Sequence, residues 1–74
     1  MTGRNIHVVP HGSGWNVSRE GEPRPSSHHE TQEEAIEVAT DAAQREHVEL
    51  IVHGRDGQIR MRNSYGHDPA ATRG

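Results

Sequence analysis

Apolar and polar positions alternate early in the chain. Ile6-His7-Val8-Val9-Pro10 leads through His11-Gly12-Ser13-Gly14 into Trp15-Asn16-Val17-Ser18, which reads as a strand, a glycine-containing turn and a second strand. With an even loop, Ile6, Val8, Trp15 and Val17 point to one side, and His7, Val9, His11, Asn16 and Ser18 to the other. The alternation then stops. Gly21 to Ser27 holds two prolines and no apolar side chain, so it is expected to leave the sheet as an exposed loop that His28 and His29 complete.

Thr31 is followed three residues later by Glu34, the reciprocal capping pattern in which two side chains satisfy N–H groups left open by a first helical turn. The period changes there from two to 3.6. Ala35, Ile36, Val38, Ala39, Ala42 and Ala43 fall within an arc of roughly 160° at 100° per residue, opposite Glu33, Glu37, Thr40, Asp41, Gln44 and Arg45. The alanines let the helix lie close to a sheet, and Ile36 and Val38 are expected to be its main anchors. Val48 to His53 is β-branched and apolar, Asp56-Gly57 is the pair favoured in a two-residue type I′ turn, and Gln58 to Arg62 alternates again.

The element order is therefore ββαββ, an α+β fold in which one helix covers one face of a four-stranded antiparallel sheet. Its parts are a flexible N-terminus over 1–4, a single domain over 5–66 and a tail over 67–74 expected to be disordered. With a two-residue turn in the second hairpin, Val48, Leu50, Val52, Ile59 and Met61 face the helix. Glu49, Ile51, His53, Arg55, Gln58, Arg60 and Arg62 face away from it.

Composition narrows the possibilities. In a chain of 74 residues with 28% apolar residues, one Trp, one Tyr and no Phe, the core is thin and centres on Trp15. Without cysteine, neither disulfides nor thiolate metal sites can reinforce it. The first residues lack the apolar run of a signal peptide, and no stretch approaches the roughly 20 apolar residues that cross a bilayer. The expected location is the cytoplasm, away from membranes. A net charge of −3 opposes general phosphate binding, and all eight cationic residues are arginine, which a GC-rich coding background explains as readily as a need for bidentate contacts.

These residues also form a recognisable set. His7-Val8-Val9-Pro10, Gly14-Trp15-Asn16-Val17, the Thr31-x-x-Glu34-Ala35 helix start, His53-x-x-Asp56-Gly57 and Ser64-Tyr65-Gly66, in that order, resemble the small bacterial domain of unknown function 2188 from about Asn5 to Pro69. The resemblance implies fold and kinship. It assigns no catalytic or binding residue.

Seven histidines raise the question of metal. His7 and His11 lie about 13 Å apart along a strand at ~3.3 Å per residue, too far to share one ion. His7 with His53 becomes possible only if the first and third strands are adjacent, and no cysteine or carboxylate motif completes such a set. Catalytic signatures are missing too: no nucleophile elbow, phosphate loop or paired-carboxylate spacing is present, and one helix on a sheet leaves little room for a deep site. Gly12-Ser13-Gly14 joins two strands and is a hairpin turn rather than a phosphate loop.

The expectation is a non-enzymatic module without cofactor or metal. Its candidate surface is the sheet face opposite the helix, carrying His7, Val9, His11, Ile51, His53, Arg55, Arg60 and Arg62. A protein partner, including a second copy, suits the thin core and the aliphatic positions. Nucleic acid on the arginines is the alternative, weakened by the lack of exposed aromatic rings for base stacking.

Overall fold

Extended segments and one amphipathic helix form where the two periodicities place them. The computed structural model describes residues 4–66, so the expected tail over 67–74 and most of the N-terminal segment lie outside the described residues. The elements are β1 (Ile6–His11), β2 (Gly14–Arg19), β3 (Ser27–His29), α1 (Gln32–Glu46), β4 (Glu49–His53) and β5 (Ile59–Ser64).

The class is α+β, as expected, but the sheet is five-stranded and mixed, in the order β3-β2-β1-β4-β5. Two features correct the four-stranded antiparallel expectation. Ser27-His28-His29 forms a strand against β2, with Trp15 opposite His29, Asn16 opposite His28 and Val17 opposite Ser27. Its side chains carry no apolar or β-branched signal, because its place is set by backbone bonds such as Ser26 N–H to the Val17 carbonyl at 2.6 Å. The second feature is parallel pairing of β1 with β4, Ile6 with Leu50, His7 with Ile51 and Val8 with Val52. The helix starts beside β3 at one edge, crosses back over the sheet and delivers β4 next to β1, a crossover that favours a parallel neighbour.

Thr31 caps α1 as the sequence indicates, its hydroxyl accepting from Glu34 N–H at 3.1 Å. The C-terminal end is closed by His47 in the left-handed conformation, φ 58°, with Val48 N–H bonded to the Ala43 carbonyl at 3.1 Å. Ala35, Ala39, Ala42 and Ala43 are buried against Ile6, Val8, Trp15, Val17, Val48, Leu50 and Val52. The anchors differ from expectation: Ile36 is partly buried and Val38 is 43% exposed. Once alanine methyls bring the helix backbone down onto the sheet, the edge of the apolar arc where Val38 sits stays outside the contact.

The first hairpin has the even two-residue loop, Gly12-Ser13, that puts Ile6, Val8, Trp15 and Val17 inward. The second departs from type I′. That turn needs positive φ at both central residues, whereas here Gly57 alone in the segment has it, at 86°. The turn runs Gly54 to Gly57, closed by Gly57 N–H to the Gly54 carbonyl at 2.9 Å, and Gly54 N–H reaches the Gln58 carbonyl at 2.7 Å. The ladder shifts register between Val52 and His53, so His53 stands opposite Ile59. That bulge takes Ile59 out of the core and leaves it 49% exposed.

Candidate interaction face

The helix covers one side of the sheet and leaves the other open. Alternation and register place His7 and Val9 of β1, Asn16 and Ser18 of β2, His28 of β3, Ile51 and His53 of β4 and Arg62 of β5 on that open side, and His11 at the end of β1 continues it. Six of the eight residues singled out in the sequence are therefore brought together: His7, Val9, His11, Ile51, His53 and Arg62.

Arg55 and Arg60 are not part of it. Arg55 donates through its two terminal nitrogens to the carbonyls of Gly12 at 2.8 Å and Ser13 at 2.6 Å, and its guanidinium carbon lies 4.5 Å from the Trp15 ring centroid. It ties the second turn to the first, because the carbonyls of a tight turn point outward and attract a forked donor. Arg60, the residue added at the bulge, pairs with Asp56 at 2.9 Å. Ile51 also needs correction as a contact residue. It is 3% exposed yet stands apart from the helix-side cluster, so neighbouring side chains on the open face already cover it.

Closing the β1–β4 seam brings His7 and His53 together. His7 Nδ1 lies 2.9 Å from His53 Nε2 and His7 Nε2 lies 2.8 Å from a Glu20 carboxylate oxygen, with the rings stacked at 5.2 Å between centroids. Sequence reasoning missed Glu20, which lies just past β2 where β2 runs beside β1, and whose only signal was an acid in the turn. A second imidazole pair sits across β1, β2 and β3: the His11 and His28 rings meet edge to face at 5.9 Å. His28 Nδ1 donates to Asn16 Oδ1 at 2.6 Å, satisfying a side chain that is 8% exposed. Among the described residues no three His, Cys, Asp or Glu side chains are grouped so as to hold a metal ion.

The opposite side is acidic and wet, with Glu33, Glu37 and Asp41 exposed on α1. Near the end of that helix, Arg19 grips Glu46 through two nitrogens and donates to Ser26 Oγ at 2.6 Å. The hydrogen bond from Arg19 holds the Glu46 carboxyl below its ordinary pKa, and the same bond raises that of Arg19. The groove between α1, β2 and β3 contains Arg19 and Arg45, both with carboxylate partners, Glu46 and Asp41.

Residues 6–65 match the model of domain of unknown function 2188, described as an uncharacterized protein conserved in bacteria. The chain belongs to this family. It is also 40% identical over 60 residues to the uncharacterized protein YdaT of Bacillus subtilis strain 168, a match spanning 81% of this chain and 40% of that protein. The chain thus covers less than half the length of this relative. No solved structure matches it. For a DUF2188 chain the motifs noted in the sequence have structural roles: Gly14-Trp15-Asn16-Val17 is β2, Thr31-x-x-Glu34 the helix cap, and His53-x-x-Asp56-Gly57 the bulged second turn. No described helix is long and apolar enough to cross a membrane.

Proposed function

We propose that this domain is a non-enzymatic protein-contact module of the cytoplasm that uses the β5 edge and the adjoining open face, with a second copy of the chain as the first partner to test. The observation that carries the reading is the inequality of the two sheet edges. Among the described residues, β5 is a six-residue outer strand that begins with the half-exposed Ile59, whereas β3 at the other edge has three residues and follows Pro23 and Pro25. A long outer strand presents unpaired N–H and C=O groups to another chain, and a short proline-flanked one discourages that.

The geometry says which groups are offered. Tyr65 N–H donates to the Val48 carbonyl at 3.1 Å, so by alternation the N–H groups of Met61 and Asn63 point toward β4 while those of Arg62 and Ser64 point outward. Nucleic acid has fewer donors than the sequence promised: with Arg55 and Arg60 engaged, Arg62 is the arginine left on the face.

Ser64→Pro removes an outward donor and leaves the ladder to β4 intact. Sedimentation of the parent over a concentration series is expected to show reversible association, and the Ser64→Pro variant is expected to remain monomeric with the same circular dichroism. A parent that stays monomeric to about 1 mM, a concentration that corresponds to only ~4 kcal/mol of binding, overturns self-association. Anisotropy titration with labelled single- and double-stranded nucleic acid checks the rival. Saturable binding that weakens with salt and vanishes in Arg62→Ala would favour it.

A further inference from the structure

The seam between β1 and β4 joins the two hairpins, with only three registered residue pairs where β1 with β2 has six. Across it sits the His7–His53 contact. We propose that these two imidazoles form a proton-responsive latch on the seam, closed with at most one extra proton between them and released when both rings are protonated.

The argument is one of counting protons. A carboxylate and a carbonyl can only accept, so Glu20 fixes a hydrogen on His7 Nε2, and the Gly57 carbonyl, 3.5 Å from His53 Nδ1, favours a hydrogen there. With one extra proton every ring nitrogen is matched: His7, as imidazolium, donates to Glu20 and to the bare Nε2 of His53. With none, the middle bond reverses, His53 Nε2–H donating to His7 Nδ1, and still holds. With two, a pair of N–H groups meets head-on at 2.9 Å between like charges, and no tautomer relieves it.

The surroundings do not undo this. Glu20 engages the far nitrogen of His7 and therefore stabilises the first charge rather than the second. Arg62 stands opposite Ile51 on β5, one strand beyond the position that faces His7, and its charge adds to the cost of further positive charge. Glu49 lies two positions before Ile51 on β4, and His11 lies four beyond His7 on β1. Of the charged residues that follow His53 in the turn and at the start of β5, Arg55 is held at the first turn, while Asp56 and Arg60 pair with each other. The helix is on the other side of the sheet. An opened seam lets each ring take its own proton where the closed seam holds at most one between them, so acid favours the open form. The latch belongs to the fold and acts whether or not a partner docks on this face.

Amide hydrogen exchange at Val8 and Ile51, whose N–H groups face the seam by alternation, corrected for the intrinsic pH dependence of exchange, tests it alongside an NMR titration of the ring protons. As pH falls the seam opening constant is expected to rise, with a limiting slope of about tenfold per pH unit, the consequence of one extra proton taken up on opening. His53→Gln, which keeps a hydrogen-bonding side chain but cannot take the second proton, should flatten that rise. In the parent, the two rings should titrate as a coupled pair in two separated steps. If the variant does not fold, this titration decides alone. Two independent single-step curves, or an exchange profile unchanged by His53→Gln, would overturn the latch.

Discussion

A methyl group added at Gly14 would lie 2.5 Å from the His29 carbonyl oxygen and 2.7 Å from His28 Nε2. β3 therefore packs on β2 only because position 14 has no side chain, and Gly14→Ala is expected to destabilise the protein by about 1–3 kcal/mol and to loosen β3 first, seen as faster amide exchange at Ser27 and His29. Trp15, next along the chain, was legible as the core aromatic: it is 7% exposed and belongs to the helix-side cluster. Trp15→Ala should cost about 3–5 kcal/mol in chemical denaturation, enough to unfold so small a domain. A stably folded variant would show that the core rests elsewhere. What the sequence did not disclose at this scale is the Arg55 contact on the Trp15 ring and the Gly12 and Ser13 carbonyls. Its acceptors are backbone atoms 42 and 43 residues away, and a residue's own type carries no record of them.

Elements with a period were readable, and those without one were not. The start of α1 follows from Thr31 and Glu34, and its buried stripe from the alanines, whereas β3 has neither alternation nor apolar residues and is held by its backbone. The bulge before Ile59 was hidden for a related reason: Asp56-Gly57 suits more than one turn, and the choice fixes which way Ile59 and Arg60 point, while Met61 and Arg62 keep the sides expected of them. The last turn of α1 is joined to the end of β2 by Arg19 and Glu46. Because the folded protein holds the Glu46 carboxyl below its ordinary value of about 4.5, the pair contributes stability that is fully present above that value. That contribution is lost as pH falls through the lower, folded-state pKa. Both side chains are about a quarter to a third exposed, so solvent limits the contribution to about 0.5–1 kcal/mol. Glu46→Gln should lower the denaturation midpoint at pH 7, by a margin that shrinks as pH falls below about 4.5; a margin that does not shrink would point to packing rather than charge.

At the scale of the molecule, two hairpins meet along one parallel seam, and the expectation of an all-antiparallel sheet failed there. Each hairpin is a local event written in neighbouring residues, but the pairing of β1 with β4 joins positions 44 apart and depends on where the helix sets the chain down. The same geometry made the candidate face only partly legible. His7 and His53 were each visible as outward-facing, and their contact waited on strand order. Besides that contact, the seam is held by the Asn5 side-chain oxygen, which accepts the Glu49 N–H at 3.0 Å where β4 begins. Asn5→Ala leaves this partly buried donor without its partner, and the loss should come to about 1–2 kcal/mol. Its distribution is the more telling readout. If the hairpins are sound units joined at a weak seam, exchange should quicken at Val8 and Ile51, whose N–H groups face the seam, while Asn16, whose N–H faces β1 within the first hairpin, keeps its protection in proportion to the remaining global stability. Uniform acceleration across all strands would mean that the seam and hairpins open together and that the sheet is one cooperative unit.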